Sequence, residues 1–433
     1  MTLLVVLGIV GAPAVALRAL CVGASCDDGS TAPRAVPFCS LPAPVRDLLT
    51  AGFREGRSPD AIGVTARDAL LRSASRRGSA WPSIDDGDDP ATVPLAFVGA
   101  GIEGGVLPAG RLDDVAPTIE PLFGFRRPFP EVRSGAELPG AVDPEARASL
   151  VVTIVWKRAG VNALTSIRRA LEGPAEAAIG EVSVGSLPLD PAAVLTTIGT
   201  GGLPSEHGVT GSFLRSNGGD PVPAWSRGAP TSVIATLGDD LDEATAGEAK
   251  IGLVADAPTD RGLIGGTWYL TSGAADDDDV VIARRAPAEA AAELIADGGY
   301  GDGGAPDLLG VTIDGGSPRA ESETRALVSF VLTTVSDATV VVTATGAAGL
   351  AAGKSDETIS AEGFVDAVDA AIGAPAVGAV AAGGVFVDQN VVTERNISTL
   401  RVVDAMTSVR APTGDRILAD AFPAFAVAFG RYC

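Results

Sequence analysis

The chain has 433 residues, 46% of them hydrophobic, enough to bury one large α/β core or two ordinary ones. Its 54 acidic residues outnumber the 32 basic ones, for a formal charge of -22. That balance excludes nucleic acid as a partner, opposes charge-driven adhesion to anionic lipid, and mainly favours solubility.

From Thr2 to Leu17 the sequence is apolar and uncharged, and Arg18 is its first charge. The run is short for a membrane span and lacks a basic leading region. A signal peptide, a signal anchor and a start codon set within a longer reading frame all stay open, and each places the remainder outside the cytoplasm. A buried core helix is the alternative, although Gly and Pro recur through the run. Residues 1–41 are therefore expected to be a signal or membrane anchor plus a Pro/Ser/Gly/Asp linker, with anchoring through residues 2–17. The four cysteines, Cys21, Cys26, Cys39 and Cys433, agree with export, because an even count without partner histidines suggests disulfides over zinc. Three pairings are open.

Beyond the linker, short apolar runs alternate with helical stretches. Strands are predicted at 60–66, 93–99, 149–156, 250–256, 307–313 and 338–344, nearly continuous in Val, Leu and Ile as in strands buried on both faces. Helices are predicted within 45–56, 162–173, 286–299 and 321–335. The alternation predicts an α/β fold with a mostly parallel central sheet and helices on both faces. Gly99 to Gly104 reads GAGIEG after a strand, but the continuation GVLPAG opens no helix, so it predicts a loop without a nucleotide. The acidic runs at 85–89 and 276–279 lack calcium-loop spacing and read as solvated loops.

The only histidine, His207, lies in LTTIGTGGLPSEHGVTG, residues 195–211. Together with the preceding DPAAV, this stretch resembles a signature of the alkaline phosphatase superfamily, in its type I phosphodiesterase and nucleotide pyrophosphatase branch. There a helix carrying the nucleophile runs into a TG turn and a P-x-x-HG segment, reproduced by Thr200, Gly201, Pro204, His207 and Gly208. PDLLGVTID (306–314) resembles the family strand ending in a metal-binding Asp. TVVVTATG (339–346) resembles the strand that ends in Asp-His-Gly, and 93–124 resembles the closing segment, with DVAPT opening its last helix. These matches span about three-quarters of the chain.

The resemblance implies a three-layer sandwich forming a single domain over 42–433. It also implies circular permutation: 42–140 matches the family's C-terminal part and 141–433 its N-terminal and middle parts. Chain rearrangement of this kind needs original ends that lie close together, and a Cys39–Cys433 bridge would staple the old junction.

The family reaction uses two zinc-type ions held by several Asp and His. Carried over residue by residue, most ligands are missing. The first Asp falls at Trp156 or Lys157. The nucleophile falls at Pro191, beside Asp190. Asp314 matches a metal Asp, but its companion His is absent. Thr345 stands in place of the Asp-His, and the last His falls at Arg77. His207 matches a position that is mainly structural in the family. No metal or other cofactor is therefore expected.

Lys157 and Arg77 place fixed cations where the family holds metals, and could take a small phosphate-type anion, with Thr345 or Asp190 completing the pocket. Side chains merely pointing into solvent are the plainer alternative. The leading expectation is an exported, catalytically degenerate envelope binding protein. A working phosphodiesterase would need zinc or another divalent metal on Asp314, Asp302, Asp307, His207 or Asp190. A structural envelope protein is the third reading.

Overall fold

A computed structural model describes residues 38–65, 70–72, 81, 91–173, 175–266, 268, 278–346, 358–381 and 383–433. Arg77, Cys21, Cys26 and the apolar segment 2–17 lie outside these residues, as does the acidic run 85–89.

The fold is α/β. An eight-stranded mixed sheet runs, in spatial order, Asp279–Ile282, Ile251–Ala255, Asp307–Asp314, Leu150–Lys157, Ala338–Ala344, Thr92–Gly99, Ala177–Ser183 and Gly105–Val106. The first five are mutually parallel, whereas Thr92–Gly99 runs antiparallel to both of its neighbours. All eight residues of Leu150–Lys157 and all seven of Ala338–Ala344 are buried, which explains their unbroken Val/Ile/Leu character. The GAGIEG loop follows Thr92–Gly99 and leads into the two-residue strand Gly105–Val106, not a helix.

The predicted strand at 60–66 appears as Ala61–Thr65, but outside the large sheet. It lies between Gly384–Val387 and Leu418–Pro423 in a separate four-stranded sheet, antiparallel to both. Five buried residues look the same from sequence whichever sheet takes them. Gly63 is required here because a Cβ would meet the Trp81 ring at 2.3 Å. Trp81 packs edge-on against Phe364 in a second apolar core with Val402 and Met406.

Residues 35–433 form one compact unit. A disulfide joins Cys39 to Cys433, with Cα atoms 5.2 Å apart. It fits an oxidising, extracytoplasmic compartment. No helix among the described residues is long and apolar enough to cross a membrane.

Candidate functional site

Open α/β sheets bind ligands beyond the carboxyl ends of their parallel strands. Here Leu150–Lys157, Asp307–Asp314 and Ala338–Ala344 end together, with Lys157 level with Asp314 and Trp156 level with Ala344. Successive strand side chains alternate between faces. Trp156 donates its Nε1–H to Thr324 Oγ1 at 2.8 Å, on the helix Ala320–Thr334. Lys157 points the other way. Its ammonium contacts Asp256, just past Ile251–Ala255, and donates to Asp260 Oδ2 at 2.7 Å.

Asp260 also accepts from Thr312 Oγ1 at 2.9 Å, and its side chain is only 1% exposed. Burial pushes its carboxyl above the usual carboxylate range, with Lys157 opposing the rise and Asp256 adding to it. An ammonium thus sits between two carboxylates.

Arg158 follows in a left-handed backbone conformation, φ 60°. Its Nη2 donates to Asp314 Oδ1 at 2.6 Å, and its backbone N–H donates to Thr345 Oγ1 at 2.9 Å. Two contacts from neighbouring strand ends hold a conformation that a non-glycine residue rarely adopts.

Lys157, Asp314 and Thr345 therefore share one edge. Asp302 and Asp307 do not. Asp307 opens its strand, about 23 Å from Asp314 along it, where its carboxylate accepts from Lys250 N and Gly301 N at 2.7 Å each.

Asp190 is the N-cap of the buried helix Pro191–Thr200, accepting from Ala192 N at 2.9 Å and from Ser212 Oγ at 2.8 Å. Complete burial raises its pKa against these hydrogen bonds. Pro191 at the first helical position and Gly201 at φ 73° fix the two ends of this helix.

His207 ends the single turn Pro204–His207 and is fully buried. Its Nδ1 accepts from Val209 N at 3.1 Å, so the ring proton is on Nε2 and donates to Thr197 Oγ1, also at 3.1 Å. Burial, with lesser repulsion from Arg57 and Arg54, lowers its pKa to about 3. Neutral, with both ring nitrogens engaged, it ties the turn back to the preceding helix. Gly208 is needed next, since φ is 81° and a Cβ would stand 2.5 Å from the Arg57 guanidinium.

Sequence reasoning missed Asp256, Asp260 and Arg158. Asp256 ends the predicted strand 250–256 and Asp260 follows it in ADAPTD, and their place at the carboxyl end of that strand was the available signal. It also missed a buried ion network behind the TG turn. Asp240 accepts from Arg127 Nε at 2.6 Å and Arg133 Nη2 at 3.1 Å, and both arginines donate to Thr200 O.

The residues at this edge do not fit a two-ion centre, because Lys157 already engages the two nearest carboxylates. Among the described residues, no group of three or more His, Cys, Asp and Glu is arranged to hold an ion. A cavity of about 520 Å³ opens elsewhere, lined by Asp47, Thr50, Phe53, Arg54, Glu55 and Ser205, none at a strand end. No family model, curated protein or solved structure matches the chain.

Proposed function

We propose that the chain is an extracytoplasmic, non-hydrolytic binding or scaffold domain built on a permuted alkaline-phosphatase-like plan, a three-layer sandwich with helices on both sheet faces. In this reading an internal ammonium has replaced the metal pair. The Lys157–Asp256–Asp260 cluster at the carboxyl edge of the sheet carries the proposal. A fixed cation neutralises neighbouring carboxylates as a metal would, but it cannot coordinate and activate a nucleophile as zinc does. The helix Pro191–Thr200 supports the same reading, since it begins with Asp190 and Pro191 and offers no hydroxyl at that position.

Two features support the permuted order. Thr92–Gly99 lies inside the large sheet between Ala338–Ala344 and Ala177–Ser183, and Cys39 is bonded to Cys433. The geometry favours a structural role for Lys157 over anion capture, because a phosphate would have to displace two carboxylates from its ammonium.

Elemental analysis of purified protein, with hydrolysis of bis(p-nitrophenyl) phosphate before and after chelation, tests the proposal. The expected result is no stoichiometric zinc or manganese and no chelator-sensitive hydrolysis. Bound metal with hydrolysis lost on chelation would overturn it. Inorganic phosphate is expected to leave the Tm unchanged; a rise that disappears in Lys157→Ala would restore anion binding through this residue.

A further inference from the structure

The parallel side of the large sheet ends in Asp279–Ile282. Among the described residues its only strand partner is Ile251–Ala255, and none of them pairs with its outer side. Ala283 N donates to Ala255 O at 2.7 Å. Within a strand, the N–H and C=O of one residue point the same way and alternate between neighbours. The main chain of Val281 and Ala283 therefore faces the sheet, and that of Val280 and Ile282 faces outward. The side chains of these two outward residues share one face and are 37% and 44% exposed.

An open edge bearing exposed β-branched residues is a template for another strand. Proteins commonly blunt such edges with charge. Here the charges differ in sign at the two ends, Asp278 and Asp279 before the apolar residues and the exposed Arg284 and Arg285 after them. A strand with that pattern is complementary to an antiparallel copy of itself.

We propose that a second copy of this chain pairs along this edge, antiparallel about a two-fold axis through Val281, so that one sheet runs through both subunits. Two independent conditions select the same register. Hydrogen bonding requires outward-facing residues to oppose each other, which sets Val280 against Ile282 of the second copy. That register sets Asp278 against Arg284 of the second copy, twice by symmetry. A shift of one residue opposes outward to inward groups. A shift of two sets either Arg284 against Val280 or Asp278 against Ile282.

The pairing gathers Val280 and Ile282 of both copies on one face. The acidic end is already fixed in place: Asp278 accepts from Arg261 Nη2 at 2.7 Å, and Asp279 accepts from the Tyr300 hydroxyl at 2.9 Å. Arg284 is exposed, whereas the Asp278 side chain is 7% exposed and already held by Arg261. A modest charge contribution and a short strand therefore make a dimer that depends on concentration and weakens with salt.

Sedimentation velocity of the full chain, over a concentration series at low and high NaCl, tests the pairing. The expected result is a dimer fraction that rises with concentration and falls with salt. Val280→Pro removes an outward N–H without touching the ladder to Ile251–Ala255, and the double variant Arg284→Glu/Arg285→Glu makes both strand ends acidic. Each is expected to raise the dimer Kd at least about tenfold while the thermal unfolding curve of the monomer is retained. A monomer at every concentration overturns the proposal. So does a dimer that withstands both variants, or one abolished only by Phe425→Ser/Phe429→Ser, which would assign association to the exposed aromatic side chains near the C-terminus.

Discussion

His207, whose matched position is mainly structural in the resembled family, acts in the fold as a tether between its turn and the preceding helix. Its folded pKa of about 3 lies below the ordinary value of 6.5 because the charged ring would be buried beside Arg57 and Arg54. Between these values the unfolded chain binds a proton and the folded chain does not. Its contribution is thus fully present above pH 6.5 and is lost as pH falls toward 3, by up to about 4 kcal/mol. Urea titrations at pH 7 and pH 4 should show a lower midpoint at pH 4, with the gap narrowed in His207→Gln. An unchanged gap would remove His207 as its source. The sequence displays the TG and HG turns because left-handed glycines at 201 and 208 are local requirements. It does not display Asp256 or Asp260, because their role arises only when a lysine from a different strand reaches them.

Between elements, the Lys157 cluster is a bond linking the strand Leu150–Lys157, the turn after Ile251–Ala255 and, through Thr312, the strand Asp307–Asp314. Removing one member of a buried ion pair leaves its partner uncompensated, which costs about 3–5 kcal/mol. Lys157→Met should destabilise by that amount in chemical denaturation. Lys157→Met with Asp260→Asn should recover a large share, because the two changes together leave no deeply buried charge alone; additive losses would show that the groups are not coupled. The strands at 149–156, 307–313 and 338–344 were legible because burial on both faces demands continuous branched apolar residues. Ala177–Ser183 was not, since AAIGEVS is only partly buried and carries no such run. The sheet to which Ala61–Thr65 belongs was also invisible, because its partners, Gly384–Val387 and Leu418–Pro423, lie more than three hundred residues away in sequence.

At the level of the whole molecule, the stretch around Arg54 and Arg57 is held by groups distant in sequence. Arg54 donates to the carbonyls of Ser205 and Glu206, and Arg57 donates to the carbonyl of Thr231 at 2.7 Å. The disulfide adds a covalent tie across 394 residues. For a loop of that length, the chain-entropy relation gives a contribution of up to about 6 kcal/mol. Cys39→Ser/Cys433→Ser should keep the native circular dichroism spectrum but unfold at a clearly lower denaturant midpoint. An unchanged midpoint would mean that the non-covalent contacts alone hold the ends. From Cys39 to Cys433 the polypeptide is a closed ring, so a protease that nicks one exposed turn releases no fragment from it. Such a cut only moves the free ends, and the two new termini remain joined through sulfur until a reductant arrives.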